Sequence, residues 1–140
     1  MIAYVDTSAL VKLFLVEEGS ELVSRVWEAA EGLATSATTY PEARASLAAA
    51  ARDRRLDRRA LGRAVRELDR RLDSIDVVEL RRPLAYEAGA LAERFALRGY
   101  DAVHLASALA VHAGRTAMLT WDRGLSQAAA ASGLSVIPQL

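Results

Sequence analysis

Apolar residues along this chain come in two spacings that alternate from one end to the other. Short runs of strand-forming residues lie at Ile2 to Val5, Leu33 to Ser36, Ile75 to Leu80, Ala117 to Thr120 and Ser135 to Ile137. Between them, apolar positions recur at helical spacing over about Ser8 to Phe14, Ser20 to Ala30, Tyr40 to Arg52, Asp57 to Leu72, Pro83 to Leu97, Ala102 to Ala113 and Arg123 to Ala131. Gly19, Gly32, Gly99, Gly114 and Gly133 fall at the joints, where helices stop and turns begin. Alternation of this kind predicts an α/β fold: a three-layer sandwich around a mainly parallel central sheet of about five short strands.

Composition narrows the picture. At 140 residues the sequence suits one domain spanning 1–140, which would bury roughly 70% of the surface its unfolded chain exposes. It has no cysteine, which removes disulfides, thiolate metal sites and a cysteine nucleophile, and makes a reducing cytoplasm the expected setting. No window approaches the ~18 apolar residues of a membrane span, so no membrane partner is expected. Neither GxGxxG nor GxxxxGK[ST] occurs, and dinucleotide binding and P-loop hydrolysis lose their usual support. Formal net charge is zero, yet nine arginines crowd the stretch from Arg52 to Arg71. Leu56, Leu61, Val65, Leu68 and Leu72 recur there at near-helical spacing, so the arginines form the outer face of a helix. Pairs such as Arg63 with Glu67 and Glu67 with Arg71 would neutralise part of that face; a contact with RNA backbone is the alternative.

Four acids carry the chemistry. Open parallel sheets bind ligands beyond the carboxyl ends of their strands. Asp6 follows the first strand in IAYVDTSAL, and Asp122 follows the strand AMLT. Asp101 opens the helix of RGYDAVHLASAL, and Glu42 begins the helix that leaves the second strand in ATTYPEARASL. Each has a plainer explanation: Asp6, Asp101 and Asp122 as helix N-caps, and Thr39 to Glu42 as a capping box. Together, however, they would repel; two unit charges ~6 Å apart cost roughly 3 kcal/mol at an effective dielectric of 20. Removing one charge, as in Asp101→Asn, should then stabilise the metal-free protein, and the intact cluster calls for a cation. All-oxygen ligands suit Mg²⁺ or Mn²⁺ rather than zinc, and such a site suits phosphodiester hydrolysis.

These motifs, in this order and over essentially the whole length, resemble the PIN-domain ribonucleases, and specifically the VapC-type toxins of toxin–antitoxin pairs. The pieces are DTSAL after the first strand, the acid of PEARASL, GYDAVHLASAL, LTWDRGL, and a last small-residue helix leading to GLSVI. The resemblance implies that Asp6, Glu42, Asp101 and Asp122 are both catalytic residues and ligands of Mg²⁺ or Mn²⁺. It implies hydroxyls beside the site at Thr7 or Ser8 and at Thr120, an RNA substrate, a cognate antitoxin and a homodimer. Trp121, before the last acid, is bulkier than the pattern leads one to expect.

Other residues have two readings each. Arg123 would contact a scissile phosphate or lie exposed at a helix start. His104, one turn after Asp101, would orient a water or phosphate, or pack in the core, which its neighbours Val103, Leu105 and Ala106 favour; His112 reads as surface. Tyr40, Tyr100 and Trp121 flank acids and would stack bases or pack at the sheet edge. Val11 to Ala30 is apolar enough to serve as core or as a surface for a second copy or an antitoxin helix. Two rival functions remain: a non-catalytic RNA-binding or regulatory module, and an aspartyl-phosphate phosphatase with Asp6 as nucleophile. The second lacks a partner acid two residues on, where Ser8 stands.

Overall fold

The computed structural model describes residues 1–140. Its five strands are β1 (Ile2–Val5), β2 (Gly32–Ser36), β3 (Asp76–Val78), β4 (Thr116–Leu119) and β5 (Ser135–Ile137). They form one sheet in the order β3-β2-β1-β4-β5, and every neighbouring pair is parallel. The central strand explains the sequence pattern: β1 is covered on both faces, so its run is apolar throughout rather than alternating with polar residues. Ala3 and Val5 point into one core with Leu10, Val23, Leu47 and Leu68. Tyr4 points the other way, among Leu105, Met118 and Leu125.

Helices fill both outer layers. On the Val5 side lie α1 (Thr7–Leu10), which runs on into a 3-10 turn at Val11–Leu13, then α2 (Ser20–Ala29), α3 (Thr39–Arg52) and α4 (Arg58–Leu72). The Tyr4 side is closed by α6 (Gly99–Ala110) and α7 (Arg123–Ala131), and α5 (Arg82–Phe95) packs against α6. The predicted α/β sandwich is the fold observed.

Several boundaries moved for physical reasons. The third strand is shorter than Ile75 to Leu80, because it is an edge strand that pairs only with β2, between Ala34↔Asp76 and Ser36↔Val78; Leu80 beyond it is exposed. Gly99 is not a turn but the first residue of α6. The chain reverses three residues earlier, at Ala96, which takes the left-handed conformation (φ 52°) and ends α5. The apolar stretch from Val11 to Ala30 is mostly core: Leu15, Val23 and Val26 are buried, Leu13, Phe14, Leu22 and Trp27 pack around them, and Val16 alone stands fully exposed.

Candidate active site at the carboxyl edge of the sheet

Asp6 is the residue at which β1 turns into α1. Its backbone is extended, and its Oδ1 accepts from the Ala9 amide at 2.9 Å, so it does cap the helix. Capping accounts for one bond only. Ser8 Oγ donates to Oδ1 at 2.7 Å, and Thr120 Oγ1 donates to Oδ2 at 2.5 Å. Burial raises the Asp6 carboxyl above its ordinary value, and the nearby His104 and the bonds from Thr120, Ser8 and Ala9 oppose that rise without cancelling it.

Asp122 has the same double character. Its Oδ1 accepts from the Leu125 amide at 2.8 Å and caps α7, while Oδ2 lies 3.3 Å from Arg98 Nη2. Asp101 is not a cap: Arg98 occupies that place, and Asp101 sits in the first turn of α6 with Oδ2 2.7 Å from Arg98 Nε. Glu42 lies in the first turn of α3, and the expected capping box does not form. Thr38 precedes that helix without a side-chain cap, and the Thr39 hydroxyl turns instead to Thr35 Oγ1 at 2.8 Å. Glu42 Oε1 receives Thr7 Oγ1 and His104 Nε2, both at 2.9 Å. Burial would raise its carboxyl, but the bonds from His104 and Thr7 outweigh burial and hold it below the usual range.

All four acids line one cleft of about 230 Å³, together with Thr7, Ser8, Arg98 and His104. The donor set is purely oxygen, partly sunk from solvent and placed where open parallel sheets put their ligands. It fits a hard divalent cation by chemistry, although no three acidic or histidine side chains converge on a single point in this conformation. Arg98 pairs with both Asp101 and Asp122. Its guanidinium also supplies countercharge, which removes the basis for expecting Asp101→Asn to stabilise the metal-free protein.

The remaining sequence candidates divide by position. Thr7 and Ser8 line the cleft with their hydroxyls already committed to Glu42 and Asp6. Thr120 is fully buried behind it, donating to Asp6 and accepting from the Asp122 amide at 3.1 Å. Arg123 lies outside the acid cleft, on a separate hollow with Glu18, Gly19 and Trp121. Arg98, which the sequence did not single out, is the arginine that lines the acid cleft. In a chain with 17 arginines, the only signal for it was its position three residues before Asp101, one helical turn away. Trp121 finds room because Gly19 has no side chain: a β-carbon there would collide with the indole. Lys12 lies over that ring, 4.8 Å from its centroid. Tyr40 turns to Asp69 on α4, its hydroxyl donating at 2.8 Å, and Tyr100 is exposed. On α4, Glu67 pairs with Arg70 and Arg71, rather than with Arg63.

Residues 3–131 match the family model described as PIN domain. This chain belongs to the PIN-domain family. Among PIN-domain relatives it is similar to Ribonuclease VapC45 and Ribonuclease VapC49 of Mycobacterium tuberculosis (strains CDC 1551 / Oshkosh and ATCC 25618 / H37Rv). Each is 44% identical over 137 residues, covering 98% of this chain and 95% of the relative. Among solved structures, VapC20 of Mycobacterium tuberculosis, a sarcin–ricin loop-cleaving toxin, superposes with a TM-score of 0.69 at 22% identity, over 90% of this chain and 94% of that one. A toxin–antitoxin complex from Klebsiella pneumoniae contains a chain with a TM-score of 0.61 at 21% identity, covering 86% of each. The family and its VapC branch are thus those that DTSAL, PEARASL, GYDAVHLASAL and LTWDRGL pointed to.

Proposed function

We propose that this PIN-domain protein is a divalent-metal-dependent endoribonuclease, the toxin of a VapBC-type toxin–antitoxin pair. In this reading Asp6, Glu42, Asp101 and Asp122 hold Mg²⁺ or Mn²⁺. The observation that carries it is the meeting of four carboxylates, from four different helix starts, in one cleft. Helix capping accounts for two of them, and Glu42 and Asp101 cap no helix.

When bound, the ion supplies Lewis-acid polarisation of the scissile phosphate and neutralises the charge that develops on it. The protein's own residues prepare that step. Asp6 is fixed at both oxygens by Ala9, Ser8 and Thr120 and cannot swing. Glu42 is held ionised through His104 and Thr7. Arg98, exposed at the mouth, is the cation best placed to meet a phosphate oxygen. Water is the nucleophile, and no bond to the protein forms.

The rivals fit less well. A binding module for RNA gains nothing from four acids facing phosphates, and an aspartyl-phosphate mechanism lacks its partner acid two residues on, where Ser8 stands and donates to Asp6 Oδ1. The antitoxin and homodimer belong to the same proposal; the relatives' VapC names and the toxin–antitoxin neighbour support the first. Exposed Leu80 and Tyr100, which line one apolar hollow with Ala88 and Val103, support a protein contact.

The test is cleavage of a mixed RNA pool by purified protein with Mn²⁺, with EDTA, and by Asp6→Asn with Mn²⁺. Cleavage in the first sample alone is the expected result. Equal cleavage in all three would come from a contaminant and count against the reading.

A further inference from the structure

His104 is almost fully buried, and so is Tyr4, which comes from the central strand a hundred residues away. The Tyr4 hydroxyl lies 2.9 Å from His104 Nδ1, the rings meet edge-on with centroids 6.0 Å apart, and His104 Nε2 reaches Glu42 Oε1 at 2.9 Å. The proton positions follow from chemistry. A carboxylate only accepts, so His104 Nε2 carries hydrogen; whenever the ring is neutral, Nδ1 then accepts and Tyr4 donates. The result is a directional chain from the middle of the sheet to one acid of the cleft.

Packing alone does not explain it. A phenylalanine and a leucine would fill this volume with no polar atoms to satisfy, and buried polar groups are costly unless bonded. What the pair does achieve is visible at Glu42. Its Oε1 receives both His104 and Thr7 at 2.9 Å, two bonds that hold the carboxylate by one oxygen and do not occupy Oε2.

We propose that Tyr4 and His104 are positioning residues, a buried pair that holds Glu42 by Oε1 and so aims its Oε2 at the cation held in the cleft. His104 is therefore neither a ligand nor a contact to phosphate. It acts through Glu42, and Tyr4 acts through His104 by fixing which ring nitrogen carries the proton. The proposal rests on the metal-nuclease reading, and its test separates the two.

Mn²⁺ affinity of the purified protein, measured by titration calorimetry, is the first readout. His104→Leu should weaken it by roughly 10- to 100-fold, the usual effect of removing a residue that orients a metal ligand. His104→Gln, which can still donate to Glu42, should recover most of the loss. Tyr4→Phe, which keeps the ring in the core, should cost several-fold. The deciding comparison is the same substitution in a Glu42→Gln background, where His104→Leu or Tyr4→Phe should cost nothing further. An equal loss with and without Glu42 would overturn the proposal, and Tyr4→Phe serves should His104→Leu fail to fold.

A second readout needs no metal. In the ¹⁵N spectrum of the metal-free protein, His104 should appear as the Nε2-protonated form, and both Tyr4→Phe and Glu42→Gln should alter that signal. If neither changes it, the pair is not aimed at Glu42. Wild-type protein that binds no Mn²⁺ would overturn the metal reading, and this spectrum would then judge the hydrogen-bonded pair by itself.

Discussion

Both oxygens of Asp6 are bonded inside the protein while its carboxyl lines the cleft, and this makes Thr120 important out of proportion to its size. Thr120→Val keeps the shape and removes the bond to Asp6 Oδ2. Loss of a buried hydrogen bond to a charged group costs about 1.5–3 kcal/mol, so denaturant unfolding should show a destabilisation of that order. The Asp6 carboxyl should also rise further, a change that carboxyl ¹³C titration would report. Burial already holds Asp6 above its ordinary value. The folded protein thus binds that proton more tightly than the unfolded chain. The linked stability is fully present below the unfolded pKa and is lost as pH rises through the folded one. Metal-free Asp6→Asn should accordingly gain on the wild type as pH rises through that window, a trend measurable by thermal melts across pH. Glu42 runs the other way: its lowered carboxyl contributes stability above the unfolded value that is lost as pH falls through the folded one.

At the scale of elements, the joint between α2 and the loop before α7 depends on one glycine. Gly19 precedes α2 with φ 90°, and its missing side chain is the space the Trp121 indole occupies. Gly19→Ala combines a left-handed backbone with overpacking and should cost about 1–3 kcal/mol. Because the Trp121 amide donates to Ser8 Oγ at 2.9 Å, the same change should disturb the Asp6 side of the cleft; indole fluorescence would report the displacement. Sequence reading found the elements because period-2 and helical patterns are local. It placed Asp6, Glu42 and Asp122 at helix starts because strand ends are local too. What it could not see were pairings across the fold. Tyr4 reads as one more apolar strand residue, and only the packing of α6 on the sheet brings its hydroxyl to His104. Arg98 has no capping side chain and no apolar neighbour pattern to distinguish it from the chain's other arginines. Asp101 looked like a cap because Gly99 looked like a turn, whereas the turn is made by Ala96, a residue that rarely takes that conformation.

For the molecule as a whole, ligand binding is a stability measurement. No helix is long and apolar enough to cross a membrane. A cation that binds only the folded form adds about 2.7 kcal/mol when present at 100 times its Kd, and Mn²⁺ should raise Tm by several degrees. Asp101→Asn should abolish most of that rise. It should leave the metal-free Tm nearly unchanged, since the pair it breaks involves an exposed Arg98 and such pairs contribute little.

The sheet order also has a meaning in time. The central strand β1 is the first made, but its two neighbours are β2 and β4, and β4 belongs to the last quarter of the chain. Until β4 has docked, Asp6 lacks Thr120, and Asp122 has no place to stand. During synthesis the edge that carries the four acids is therefore completed near the end, and a product that stops before β4 has neither Thr120 nor Asp122 to complete it.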